Sequence, residues 1–142
     1  MMKSRIFHLA AALVPVLLAA GTASADVLTM KADLKAANEV PPNNSPASGT
    51  AEATFDTTSK ALTWTVEYSG LSGPAVGAHF HGPGEAGKNA GIVLPFQSAV
   101  SPIKGTATLT DAQAADLVAG RWYVNIHTAA NPGGEIRGQM LK

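Results

Sequence analysis

The sequence predicts an all-β domain, an antiparallel sandwich or barrel with one short helix. Several segments alternate apolar and polar residues with the period of two that is typical of strands. Turn signals rich in Gly, Pro, Asn and Asp separate these segments at roughly 8–12-residue intervals. Trp64 and Trp122 lie on the apolar faces and supply bulk for a core. No internal repeat or second domain is evident.

The alternation is clearest where Leu62, Trp64 and Val66 interleave with Thr63 and Thr65. This strand and the preceding one predict a hairpin, because only a short turn at 56–59 separates them. The last predicted strand is expected to pair with the strand that contains Trp122. The predicted strands are residues 27–35, 49–55, 62–68, 75–81, 92–94, 105–110, 121–128 and 135–140.

One helix is predicted over residues 111–119. Thr110 or Asp111 provides an N-terminal cap, and Gly120 suits the C-terminal end. Because the segment is short, it needs packing against the rest of the domain to form.

The first 25 residues have the pattern of a secretory signal peptide. Lys3 and Arg5 precede a mostly apolar run at 6–20, and Ala23 and Ala25 give an A-x-A cleavage signal. We therefore expect cleavage after Ala25, export to the periplasm or the medium, and one domain over residues 26–142. That leaves 117 residues, enough for one hydrophobic core.

Charge and cysteine content exclude several classes of function. Residues 26–142 carry eight Lys/Arg and ten Asp/Glu, a net charge of −2 without a basic patch, so nucleic acid is not an expected partner. No basic amphipathic helix indicates binding to a membrane surface after cleavage. The chain has no cysteine, which excludes disulfides, thiolate metal ligands and cysteine nucleophiles.

Three histidines carry the clearest chemical signal. His79 and His81 are two apart on one predicted strand and share a face, whereas Phe80 between them points to the core. His127 lies on the corresponding face of its own strand, opposite the Trp122 row. If the two strands are near neighbours, the three rings converge on one point.

Three imidazoles suit Zn(II), Cu(II) or Ni(II). Three carboxylates in or near loops, Glu39, Glu85 and Glu135, are candidate fourth ligands or groups that orient a histidine. The alternative for Glu135 is an ion pair with Arg137. The alternatives for the histidines are hydrogen bonds that hold the Gly-rich turns, or a proton-transfer or pH-sensing role. No nucleophile-elbow or phosphate-loop motif is present.

The chain resembles the chordin-domain (CHRD) family over about residues 27–141. The resemblance rests on three ordered motifs, at residues 34–42, at Ala78-His79-Phe80-His81-Gly82-Pro83, and at 123–139 with its Asn131-Pro132-Gly133-Gly134 turn. It implies a single β-sandwich domain of the kind found in short exported bacterial proteins.

The pattern is also similar, more distantly, to Cu/Zn superoxide dismutase, an antiparallel Greek-key sandwich with an H-x-H strand and a late histidine. That enzyme uses four copper-ligating histidines and a disulfide. Here only three histidines follow the predicted leader, and cysteine is absent. These departures argue against dismutase activity. The part of the similarity that carries over is a mononuclear copper or zinc site.

We expect an exported metal-binding β-sandwich that holds copper, or alternatively zinc, through His79, His81 and His127, without established turnover. The first alternative is a binding or structural module of the cell envelope that recognises a protein or polymer. The second is a small redox or hydrolytic metalloenzyme. A protein partner or a homo-oligomer is compatible with all three.

Overall fold

The structure is a computed structural model that describes residues 26–142. The alternation of apolar and polar side chains accounts for its strands. The all-β class and all eight predicted strands are confirmed, with ends that move by a few residues. The predicted signal peptide lies outside the described residues. The strands are β1 (Val27–Lys35), β2 (Ser48–Asp56), β3 (Ala61–Ser69), β4 (Ala75–His81), β5 (Ile92–Pro95), β6 (Ile103–Thr108), β7 (Tyr123–Thr128) and β8 (Ile136–Gln139).

All strand pairs are antiparallel, in the order β5-β4-β7-β8-β1-β2-β3-β6. The predicted β2–β3 hairpin and the pairing of the last two strands are both present. β4 and β7 are adjacent although 41 residues separate His81 from Tyr123 in the sequence. This adjacency positions the functional site, because it places the two histidine-bearing strands side by side.

The sheet curls so that its two halves face each other across a hydrophobic core. Trp64 on β3 and Phe80 on β4 are separated by four intervening strands in the sheet order, yet their ring centroids are 5.3 Å apart. Phe80 also packs against Trp122, at 5.5 Å. The core forms between the two halves because each strand turns its apolar row inward.

One α-helix, α1 (Asp111–Val118), is present in the described residues and connects β6 to β7. Thr110 Oγ1 accepts a hydrogen bond from the Gln113 amide, and Gln113 Oε1 accepts one from the Thr110 amide, which forms a capping box. Gly120 follows in the left-handed conformation, with φ +74°. Among residues 26–142, no helix is both long and apolar enough to cross a bilayer.

Strand β7 is unusual for an antiparallel strand because both of its faces are largely buried. Val124 and Ile126 point into the core, as predicted. Tyr123 and Asn125 point to the opposite side and are also buried, since loops pack over that side of the sheet. The candidate site lies on this second, polar face.

Candidate metal centre

The register of β4 and β7 brings the three histidine rings together. Gly77 lies opposite His127 and His79 lies opposite Asn125, so His79, His81 and His127 occupy neighbouring positions on one face. The ring centroids are 4.9 Å apart for His79 and His127, 5.6 Å for His79 and His81, and 5.9 Å for His81 and His127. The predicted convergence of the rings is therefore present.

Each ring offers one nitrogen to a common point. One nitrogen of each of the three rings lies within 4.8 Å of the other two. Each ring also has one buried nitrogen without a hydrogen-bond partner: Nδ1 of His79, Nε2 of His81 and Nε2 of His127. Around a zinc ion, with bonds of 2.0–2.1 Å, ligand nitrogens are about 3.3–3.6 Å apart, so the clustered nitrogens need to approach one another by at most about 1.5 Å.

Backbone carbonyls orient two of the rings from behind. His81 Nδ1 is 2.9 Å from the Ala90 carbonyl, and His127 Nδ1 is 2.9 Å from the Pro132 carbonyl. Because a carbonyl only accepts, each Nδ1 carries the proton, and the Nε2 lone pair of a neutral ring points inward. This is the second-sphere arrangement that commonly orients metal-bound histidines.

The environments of His79 and His81 favour the neutral forms of these two rings. Burial lowers the pKa of His79, and the neighbouring His127 and His81 lower it further. Burial also lowers the pKa of His81; the Ala90 hydrogen bond opposes this effect, whereas His127 and Arg137 add to it. Neutral imidazole is the form that binds a metal ion, so these rings are available as ligands near pH 7.

Gly77 provides room for the ring of His79. A Cβ atom at this position would lie 3.2 Å from His79 Cε1 and 3.5 Å from its Nε2. The glycine therefore allows the His79 ring to lie along β4 toward His127, its diagonal neighbour on β7.

The loop at 82–91 is fastened over the site by two side chains that the sequence analysis did not assign to it. Tyr123 stacks on His81, with centroids 4.9 Å apart and planes 5° apart, and its hydroxyl accepts from the Ala90 amide at 3.0 Å. The Arg137 guanidinium lies 3.4 Å from the centre of the Tyr123 ring and donates to Asn89 Oδ1 at 3.0 Å. Tyr123 shares the face of His127 on β7, as Asn125 does, and this alternation was the signal that could have identified Tyr123.

Glu39 lines a cavity together with His81 but is not one of the clustered ligands. Its carboxylate accepts a hydrogen bond from Asn125, and the residue is only 6% exposed. Burial raises the pKa of Glu39 to about 7, although Arg137 and the Asn125 hydrogen bond act to lower it. Glu39, His81 and Arg137 together line a cavity of about 210 Å³.

Glu135 and Glu85 are also not among the clustered ligand atoms. Glu135 is fully buried, and its carboxylate accepts from the Ser45, Ser72 and Thr128 hydroxyls at 2.6–2.7 Å and from the Ser72 amide at 2.8 Å. Burial alone raises the pKa of Glu135, but these hydrogen bonds lower it to about 2. The ion pair considered between Glu135 and Arg137 is absent from the described residues. Glu85 is exposed on the loop.

The comparisons with known proteins identify one family. Residues 30–140 match the CHRD domain. No curated protein and no solved structure matches the chain. Because the match spans more than half of the sequence and includes all three clustered histidines, the chain belongs to the CHRD domain family.

Proposed function

We propose that this protein is an exported metal-binding β-sandwich in which His79, His81 and His127 hold a copper ion. The observation that carries the proposal is the cluster itself, in which each of the three rings offers one nitrogen within 4.8 Å of the other two. Each ring also has a buried nitrogen without a hydrogen-bond partner. Buried polar atoms are normally hydrogen-bonded, because leaving one unpaired costs about 1–3 kcal/mol. A metal ion bound among the rings would supply a partner.

Copper is the preferred ion, and zinc is the alternative. Imidazole suits both ions, and the thiol-free composition removes the ligands that most often hold structural zinc. The leader pattern at residues 1–25 supports export to the periplasm or the medium.

A purely structural role for the histidines is the second candidate, and a specific observation favours it. His81 and His127 both hydrogen-bond loop carbonyls, as residues that fasten turns would do. In that case the protein would be a binding or structural module that recognises a protein or polymer through its loops. His79 separates the two candidates, because its buried Nδ1 has no hydrogen-bond partner.

The decisive experiment titrates the purified protein with Cu(II) and with Zn(II) and compares it with the His79→Ala and His127→Ala variants. We expect one ion per chain, and a loss of affinity of at least 100-fold in either variant, since each removes one of three ligands. The matched control is Glu85→Gln, which changes an exposed side chain on the adjacent loop and should bind as the unmodified protein does.

Thermal unfolding without metal completes the test. If the rings serve the metal, His79→Ala should leave the stability of the metal-free protein unchanged or raise it, because it removes an unpaired buried nitrogen. Unchanged metal affinity in His79→Ala would contradict the proposal, as would a failure of the unmodified protein to bind copper, in either oxidation state, or zinc at micromolar metal. A small redox metalloenzyme remains a subordinate alternative that activity assays of the loaded protein would address.

A further inference from the structure

The clustered ligands themselves carry no negative charge. Within residues 26–142, the group of atoms that could hold a metal consists of three imidazole nitrogens, with no carboxylate oxygen among them. Neutral imidazoles leave the charge of a bound ion uncompensated. The oxidation state of the ion therefore depends strongly on the surrounding charges and on access to water.

A fixed positive charge lies close to this group. Arg137 is 2% exposed, and its guanidinium packs 3.4 Å from the centre of the Tyr123 ring, which in turn lies 4.9 Å from the His81 ring. The guanidinium is thus no more than about 8 Å from His81, a distance at which one charge acts on another by a few kcal/mol at most in a protein interior. Its hydrogen bonds to Asn89 and to the Lys88 carbonyl hold it in place.

The two nearby carboxyl groups do not balance the positive charge of Arg137 at the cluster in the way that carboxylate ligands would. Glu39 is directed to Asn125, and its burial favours the uncharged carboxylic acid up to about pH 7. Glu135 is ionised, but its two oxygens are directed to Ser45, Ser72 and Thr128.

The burial of the ring nitrogens and the number of ligands also favour a monovalent ion, as the Arg137 charge does. Each of the three rings has a nitrogen with less than 1 Å² of accessible surface. The free-energy cost of placing an ion in such surroundings rises with the square of its charge, so a monovalent ion is penalised less than a divalent one. Zinc is usually four-coordinate and Cu(II) favours tetragonal sites, whereas this cluster provides three donors.

From the neutral ligands, the buried nitrogens and the fixed Arg137 charge, we infer that the site holds copper as Cu(I) in preference to Cu(II) and to Zn(II). This inference rests on the proposed function and specifies the ion that the site would carry. The Arg137 guanidinium then influences the oxidation state of the copper ion without being a ligand.

The test compares the affinities of the full-length purified protein for the two copper ions. Cu(I) is titrated without oxygen in competition with bicinchoninate, and Cu(II) in competition with glycine. We expect Cu(I) to bind at least 100-fold more tightly than Cu(II), which places the reduction potential about 120 mV above that of aqueous copper. Zinc should fail to displace stoichiometric Cu(I).

Two variants at one position separate charge from packing. Arg137→Gln removes the charge and should reduce the Cu(I)-to-Cu(II) affinity ratio about tenfold, or about 60 mV. Arg137→Lys keeps the charge and should preserve most of the ratio. An unchanged ratio in Arg137→Gln would overturn the role assigned to the guanidinium.

The outcomes distinguish this inference from the proposed function. If Cu(II) or Zn(II) binds as tightly as Cu(I), or more tightly, the inference is wrong, whereas the metal site remains. If none of the three ions binds, the proposed function fails and the inference fails with it. The measurement on the unmodified protein decides the question even if a variant does not fold.

Discussion

Glu135 shows how a carboxylate can be completely buried without a cation beside it. Three hydroxyls and one amide, contributed by Ser45, Ser72 and Thr128, donate to its two oxygens. These donors come from three separate parts of the chain, so the carboxylate joins the loop before β2, the loop before β4 and the end of β7. Charge-assisted hydrogen bonds of this kind are stronger than those between neutral groups.

The ionised form of Glu135 should stabilise the fold at neutral pH. Its pKa is about 2 in the folded protein against 4.5 in the reference state, so its contribution is complete above pH 4.5 and is lost as the pH falls toward 2. We expect Glu135→Gln to reduce the free energy of unfolding at pH 7 by roughly 2–3 kcal/mol, and the difference to shrink below pH 3. Urea unfolding at pH 7, 4.5 and 2.5 measures this. An equal loss at all three pH values would contradict it.

Glu39 has the opposite pH dependence. Its pKa of about 7 lies above the reference value of 4.5, so its contribution to stability is complete below pH 4.5 and is lost as the pH rises through 7. We expect Glu39→Gln to match the unmodified protein near pH 4.5 and to exceed its stability at pH 8 by about 1–3 kcal/mol.

Carbon NMR of the Glu39 carboxyl group provides a direct measurement of its titration. A midpoint near pH 7 is expected, and a midpoint near pH 4.5 would show that burial does not control this group.

At the scale of elements, the turn between β7 and β8 does more than reverse the chain. The Pro132 carbonyl orients His127, and Gly134 packs against the Asn125–Glu39 pair. A Cβ at Gly134 would lie 2.3 Å from Asn125 Nδ2 and 2.7 Å from Glu39 Oε1, and its φ of +127° suits glycine alone. The turn therefore both reverses the chain and contributes contacts to the surroundings of the site.

The two glycines of this turn provide a matched pair of variants. We expect Gly134→Ala to reduce the free energy of unfolding by about 1–3 kcal/mol, through strain and overlap, and to weaken metal binding about tenfold by displacing the turn. Gly133→Ala is the control, because a Cβ there meets no atom within 4 Å. Chemical unfolding and metal titration of both variants test this, and equal effects would argue against the assigned contacts.

At the scale of the whole molecule, a bound ion would connect strands from one half of the curled sheet. β4 and β7 belong to the half that also contains β5 and β8, and the register joins β8 to β1 through one residue pair, Lys35 and Arg137. A further bridge pairs Lys31 with Leu141. The hydrogen-bonded pairing between the two halves is therefore short, and strands of one half alone would hold the ion.

Metal should stabilise the folded protein by mass action. At a free metal concentration 100 times the Kd, the gain is about 2.7 kcal/mol, which corresponds to a rise of about 10 °C in Tm for a domain of this size. Differential scanning calorimetry with and without metal measures it. The rise should be absent in His79→Ala, and a rise of equal size in that variant would place the ion elsewhere.

The positions of the strands followed from the sequence because alternation along a strand is a local property. The rows led by Leu62 and Trp122 indicated which side chains face the core, and Thr110 and Gly120 indicated the ends of the helix. The shared face of His79 and His81 followed from the same period of two.

The sequence by itself determined the class of fold, the strand positions and the face on which each histidine lies. Only the tertiary structure decided that β4 and β7 are neighbours, that Tyr123 and Arg137 stack beside His81, and that Glu135 binds hydroxyls and not Arg137. The physical reason is that these contacts join residues far apart in the chain. Their partners are selected by how the whole sheet curls around its core, and local periodicity carries no information about that choice.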